Sequence, residues 1–397
     1  MGRLLARNSN WFVVNSTAEF VAALANESVA AGDSIVMRAG TYTGDFVSTV
    51  GGSVGRPVRI MPYNNEDVKI DGSFYFQAPY VEIYDLEIFR SSTPKVNIND
   101  NAIKLYTAGS RLIGCNIHDL RNSVFFQGFG IGGIEECVIK NNGYYDDIDN
   151  PLSGHGYDIY THNNWGGQRD IKRNLFYASV GQWSLHVYSP SNNMKDYKIE
   201  DNIFLQSASI GNYFTGTPNM TFKNNWLCGD RPGSYIELNI DRQLTAPCDN
   251  VSIESNSFWK TYYTLGYENI TNLVEADNIV YIKVGTGYER AGYTETTNPA
   301  TLVKITPFTK SKRWLGSVAI YNRDSASTVA VDFSSLLTGG DYLLRNGHNT
   351  DETFAFTYSG ADVNVPMDTF TAAAEIGGFT PYDYFPITGA FMIERNT

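Results

Sequence analysis

The chain has 397 residues, 42% of them hydrophobic and 14% aromatic, enough for a sizeable core in one large domain or two to three ordinary ones. Its formal net charge of −12 argues against nucleic acid as a partner, since phosphate binding needs a basic stripe, but allows an anionic sugar polymer if positive charge is placed locally. No apolar run approaches the ~20 residues of a transmembrane helix, so no membrane is expected as partner. Abundant Tyr, Phe and Gly lean toward strands and turns.

The first segment, "MGRLLARNSNWFVV", carries basic residues but no apolar core of signal-peptide length. An extracellular or secreted location is expected, reached after removal of a leader or by export that uses none; a virion-associated location is the alternative. From residue 84 onward one short pattern keeps returning: apolar, then Asn or Cys, then any residue, then apolar. It reads "YDLEIFR", "IGCNIHD", "EECVIKN", "KRNLFYA", "EDNIFLQ", "KNNWLCG", "ESNSFWK" and "ADNIVYI". The aligned column is Leu86, Cys115, Cys137, Asn174, Asn202, Asn225, Asn256 and Asn278. Its steps are unequal, the longest running from Cys137 to Asn174. A fixed core with elastic excess length is what a solenoid coil with variable loops shows. Short alternating apolar segments within each coil are strands rather than helices. Stacked asparagines at one turn can bond their amides to those above and below. Cys115 and Cys137, in the same column, read as buried structural thiols.

The segment "STAEFVAALANESVAAGDSIVMRAGTYTGDF" (16–46), followed by "GRPVRIMPYNNEDVKIDGS" (55–73), resembles the first coils of right-handed parallel β-helix proteins of the pectate-lyase-like superfamily. The resemblance covers roughly residues 12–290. It implies a short amphipathic helix capping the open end, then a "GD-x-I" strand and a "G-T-Y" turn opening the first coil. The superfamily hosts lyases, hydrolases, epimerases and tailspikes, so the likeness speaks to fold more than function.

The expected class is therefore all-β: a right-handed parallel β-helix with an N-terminal strand and capping helix (1–32), the solenoid (33–290), a polar Thr- and Pro-rich linker (291–313), and a C-terminal antiparallel β-sandwich (314–397). The last comes from short alternating strands in "GSVAIYNRD", "STVAVDFSSL", "GDYLLRNG", "TFAFTYSG", "DVNVPM" and "GAFMIERN". It resembles a sandwich appended to secreted carbohydrate-active enzymes. It is expected to pack against the solenoid and cap its last coil, whose edge would otherwise be unpaired.

Alternation fixes which side chains leave a strand. In "GHGYDIYTHNN" (154–164), Ile159 and Thr161 point in, and Asp158, Tyr160 and His162 point out. In "SLHVYS" (184–189), Leu185 and Val187 point in, and His186 and Tyr188 point out. Stacking in this register sets Tyr160 beside His186 and His162 beside Tyr188, with rungs ~5 Å apart. Three of the five histidines, at 155, 162 and 186, fall in these two coils. Lys104, Tyr106, Gln127 and Glu237 project from other coils, and Trp165 and Trp183 flank the pair as candidate sugar platforms.

Histidine moves a proton near neutral pH and tyrosine can donate one. Beside an acidic sugar, that pair suits β-elimination: a base takes the proton next to the carboxylate and an acid protonates the leaving oxygen. His186 or His162 serves as base, Tyr160 or Tyr188 as acid, and this is similar to the His/Tyr chemistry of several polysaccharide lyase families. The Lys-and-Arg motif of β-helical alginate and chondroitin lyases, and the Asp set of pectate lyases, are not found on these rungs. A glycoside hydrolase is the alternative. It needs two carboxylates ~5–9.5 Å apart; Asp158 and Glu237 stand three coils apart, ~14 Å, so the partner would come from the inserted "YYDDIDNPLSG" (144–154). Its Asp146, Asp147 and Asp149 are also candidate Ca²⁺ ligands, although no cofactor is required by the elimination reading. A third reading is a non-catalytic structural or adhesive fibre. The partner expected is a polysaccharide or oligosaccharide, and the protein is expected to be a monomer. Cys228 and Cys248 lie in one coil's loop region and could close a disulfide worth ~3 kcal/mol, which would indicate an oxidising compartment.

Overall fold

The structure, a computed structural model, describes residues 9–91, 101–127, 129–145, 154–164, 166–179, 181, 183–188, 194–205, 209–211, 217–229, 236–240, 248–265, 270–284, 292–296, 299–371 and 387–396; of His155, Glu237 and Cys248 only the backbone is described. The helix Thr17–Leu24 covers the first coil. Its start is a reciprocal cap: Glu19 N donates to Ser16 Oγ (3.3 Å), and Asn15 N donates to Glu19 Oε2 (2.7 Å). Phe20, Ala23 and Leu24 are buried on its inner side, where the Phe20 ring meets Phe46 at 4.9 Å.

Below the cap the chain coils as a right-handed parallel β-helix, the hand that parallel crossovers take. One sheet has eleven parallel strands, from Trp11–Val14 to Ile270–Ala276. The other has seventeen and contains two ladders. One ladder runs through Asn116–His118, Val138–Lys140, Leu175–Tyr177, Ile203–Leu205 and Trp226–Cys228. The other runs through Asn101–Leu105, Asn122–Phe126, Tyr157–Thr161, Trp183–Val187, Ser209–Gly211 and Ile236–Ile240. Long strands such as Val68–Phe76 and Ser257–Leu265 run through both. Each coil thus presents three outer faces.

The turn between the first sheet and the first ladder is one residue in the left-handed region: Asp85, Gly114, Glu136, Arg173, Asp201, Asn224, Ser255 and Asp277 all have φ between 53° and 66°. The recurrent column comes directly after it. Asn174 Nδ2 donates to Asn202 Oδ1, Asn202 to Asn225, Asn225 to Asn256 and Asn256 to Asn278, at 3.0–3.1 Å. Each amide's second hydrogen goes to a backbone carbonyl of the first sheet. The ladder therefore satisfies polar groups that the stacked corners bury. Cys115 and Cys137 occupy the same column with no exposed surface, inside the main core.

The C-terminal strands form a five-stranded antiparallel sheet facing a two-stranded one, with Val318, Ile320, Leu344 and Ile393 packed against Val329, Val331 and Val365. Three expectations need correction. The segment read as a linker holds strands: Tyr293–Glu295 extends the solenoid and Thr301–Pro307 pairs along Gly316–Asn322. Its Thr and Pro content masks an alternation of Leu302, Val303 and Ile305. The sandwich also packs on the side of the solenoid. Tyr177, Leu205, Trp226 and Trp259, pointing outward from the first ladder, meet Trp314, Ala319, Tyr321 and Met392 in one buried cluster. Cys228 lies in the strand Trp226–Cys228 and Cys248 opens the strand Cys248–Glu254, so neither is in a loop.

Candidate functional site

With the sandwich on the first ladder, the outer side of the second ladder is a separate face, and the residues singled out in "GHGYDIYTHNN" stand on it. The strands Tyr157–Thr161 and Trp183–Val187 pair Ile159 with Leu185, Tyr160 with His186 and Thr161 with Val187. Ile159, Thr161, Leu185 and Val187 are fully buried in the lumen. Tyr160 and His186 come out side by side, ring centroids 4.9 Å apart and nearly perpendicular. His186 lies flat against Trp183 (5.2 Å) and Tyr188 (5.6 Å). Tyr160 is 6.1 Å from His162 and 6.5 Å from Tyr188.

Earlier coils extend this patch. Phe125 stacks on Tyr160 at 5.1 Å, Tyr106 meets Phe125 at 5.4 Å, and Tyr75 meets Tyr106 at 5.3 Å. Aromatic rings therefore run without a break from Tyr75 to Trp183, across five rungs. Tyr75 pairs with Lys104 and Lys104 with Phe125, which sets the lysine in the column of Tyr160 and His186. Gln127 follows Phe126, the partner of Thr161, and so stands one coil before His162. The sequence reading missed Tyr75, Phe125 and Tyr157. Outward parity in "SFYF" and "SVFF" is the signal for Tyr75 and Phe125, which join the track only once the register is known; Tyr157, 5.2 Å from the Tyr160 ring, precedes a break in alternation and has no such signal.

Asp158 is a correction. It is fully buried and takes hydrogen bonds from Asn142 Nδ2 (3.1 Å) and from Ser179 Oγ. The alternation breaks at the start of this strand, whose burial makes 158 and 159 both interior. The corner leading into the strand wraps the carboxylate. Asp158 cannot serve as an exposed carboxylate here. Of the inserted stretch, Tyr144–Tyr145 pairs antiparallel with Gly154–His155, with Tyr144 opposite His155. Asp146, Asp147, Asp149 and Trp165 lie outside the described residues, and nothing is said of the side chains of His155 and Glu237. Among the described residues, no three His, Cys, Asp or Glu side chains cluster to hold a metal.

Burial sets the proton states of the patch. The His186 imidazole is pushed down to about 4, and Tyr160 is pushed up to about 12, first by burial and then by Tyr188. His162 is lowered by burial and by the Arg169 charge. Arg169 points into the lumen behind this strand, fully buried, its guanidinium 4.5 Å from the Phe126 ring centroid and donating to Gly130 O. At neutral pH the face thus offers an unprotonated imidazole against a protonated phenol, and buried positive charge lies just behind.

A further titratable group lies on the first ladder. His118 Nδ1 is 2.6 Å from Asp119 and Nε2 is 3.2 Å from Glu87, while buried Lys140 donates to His348 O of the sandwich at 2.8 Å. Lys140 thereby ties solenoid to sandwich.

No family model matches the sequence, and no curated protein matches it. Among solved structures, the chain is similar to the PL6 family polysaccharide lyase Pedsa3628 from Pseudopedobacter saltans, with 14% identity, 71% of this chain and 77% of that one covered, and a TM-score of 0.46. It is similar to pectate lyase Pel9A at 14% identity, covering 73% and 78%, with a TM-score of 0.39. It is also similar to ORF18 of Geobacillus virus E2, at 12% identity, covering 93% and 80%, with a TM-score of 0.39.

Proposed function

We propose that this chain, a pectate-lyase-like parallel β-helix, binds an acidic polysaccharide along the aromatic face and cleaves it by β-elimination. The observation that carries the reading is the pairing of Tyr160 with His186 on a continuous track of aromatic rings. Rings at successive rungs, ~4.8 Å apart, offer stacking surfaces to successive sugars. Neutral His186 takes the proton beside the uronate carboxylate, and Tyr160 gives one to the leaving glycosidic oxygen. An imidazole at about 4 is a weak base in the free protein, but an arriving carboxylate favours its protonated form and raises it toward the working range. Arg169 behind the strand adds positive potential at that carboxylate, and Lys104, two rungs before Tyr160, faces the carboxylate of a neighbouring sugar. His162 and Tyr188 flank the pair and orient the sugar. No step is routed through Ca²⁺.

Hydrolysis by paired carboxylates is the weaker reading, because Asp158 is buried and committed to Asn142 and Ser179. The test is ultraviolet absorbance of unsaturated uronate ends during incubation with a panel of acidic polysaccharides, with and without Ca²⁺. A rise that His186→Ala abolishes supports the proposal. New reducing ends without that absorbance refute elimination.

A further inference from the structure

The outer side of the eleven-stranded sheet carries, over its first coils, a groove of about 480 Å³. This is within the range of small-ligand clefts, and the cleavage chemistry does not use it. Parallel register puts Trp11, Ser34 and Arg59 in one column, with Met61 and Tyr84 beside it on the floor. Trp11 is 58% exposed, the most exposed large aromatic side chain among the described residues. The remaining wall is a strap that brings Lys310 and Lys312 over the sheet.

The strap is built to hold those lysines in place. Glu136, in the left-handed turn column, accepts from the backbone N–H groups of Thr309, Lys310 and Ser311 at 2.7–2.8 Å. Asp85, in the same column, accepts from Lys312 N (2.9 Å) and Ser311 Oγ (2.6 Å). Both carboxylates are thus engaged by the strap's backbone; the Lys310 ammonium is held by Glu135 at 2.6 Å, and neither Asp85 nor Glu136 pairs with the Lys312 ammonium. Glu135 is shared among Arg111, Arg173 and Lys310. Arg59 lies 3.8 Å from Glu82, a loose pair. Among the described residues, Lys312 makes no ion pair. In a chain with net charge −12, this groove gathers three cations around an exposed indole.

We propose that the groove is a second, non-catalytic site for the acidic saccharide: Trp11 stacks on a sugar ring, and Lys312 with Arg59 takes its carboxylate. The proposal rests on the acidic-polymer reading above. Occupying both sites with one polymer raises avidity without any new contact at the cleavage face.

The test is calorimetric titration of the full chain carrying His186→Ala with oligogalacturonate and oligomannuronate, using an uncharged cello-oligosaccharide as control. Two sites are expected. Trp11→Ala with Lys312→Ala removes one and weakens polymer binding by about tenfold or more. The same two substitutions in the otherwise native chain leave cleavage of short oligomers unchanged. Tyr160→Ala removes the other site. Both exchanges are at the surface, and circular dichroism checks the fold. Retention of two sites after Trp11→Ala and Lys312→Ala, or a single site lost only with Tyr160→Ala, overturns the groove and leaves the cleavage face standing. A single site lost with Trp11 and Lys312 but indifferent to Tyr160→Ala overturns the cleavage face instead. No binding of any uronate oligomer overturns both.

Discussion

On the proposed mechanism, a substitution at Tyr160 separates binding from proton transfer. Tyr160→Phe keeps the ring that stacks on Phe125 and meets His186 and deletes only the phenolic proton. Turnover is expected to fall by about 10²–10⁴ with little change in oligosaccharide affinity; steady-state kinetics beside equilibrium binding check this. Stability should also follow the imidazole. The folded chain holds His186 down to about 4, whereas a free imidazole titrates near 6.5. Between about pH 6.5 and about pH 4 the unfolded state therefore binds the extra proton. The stability contributed by keeping His186 neutral is full above that window and is lost as pH falls through it. Denaturant titrations across the window should give a steeper loss for the native chain than for His186→Phe. Equal slopes would mean that the imidazole is not desolvated. The register of Tyr160 and His186 was legible in the sequence, because Ile159, Thr161, Leu185 and Val187 fit only a lumen. Asp158 was not, because its partners Asn142 and Ser179 arrive from a corner that strand alternation does not describe.

The asparagine column is the element that fixes the stacking, and a recurring "N-x-φ" pattern made it readable. Asn225 shows what one member does. Its Oδ1 accepts from Asn202 N and Nδ2, both at 3.0 Å, and its Nδ2 donates to Ile199 O (2.9 Å) and Asn256 Oδ1 (3.1 Å). Asn225→Ala leaves those buried groups without partners, at about 2–4 kcal/mol in all. A lower denaturation midpoint at unchanged slope is the expected result. A loss under about 0.5 kcal/mol would mean that water replaces the amide. The strand Thr301–Pro307 and the seat of the sandwich were not legible. The first is masked by its polar composition. The second depends on Tyr177, Trp226 and Trp259, whose outward aromatic surface reads in sequence like that of the open face.

At the scale of the molecule, the solenoid sorts its outer faces by what covers them. The first ladder is buried under the sandwich. The second presents aromatic rings from Tyr75 to Trp183. The eleven-stranded sheet carries ion pairs along its length and the Trp11 groove at its start. On the proposed function, a polymer lying across the rungs would meet a new ring at each coil and the Tyr160–His186 pair among them. The most direct test is the mass of the products from an acidic polymer cut by the native chain and by its His186→Ala form. Elimination adds no water, so the two new ends together weigh what the bond's two sides weighed. Hydrolysis adds one water per cut. The account predicts products without added water, formed by the native chain and not by His186→Ala. Products that gain a water at each cut, or identical products from both chains, would contradict it.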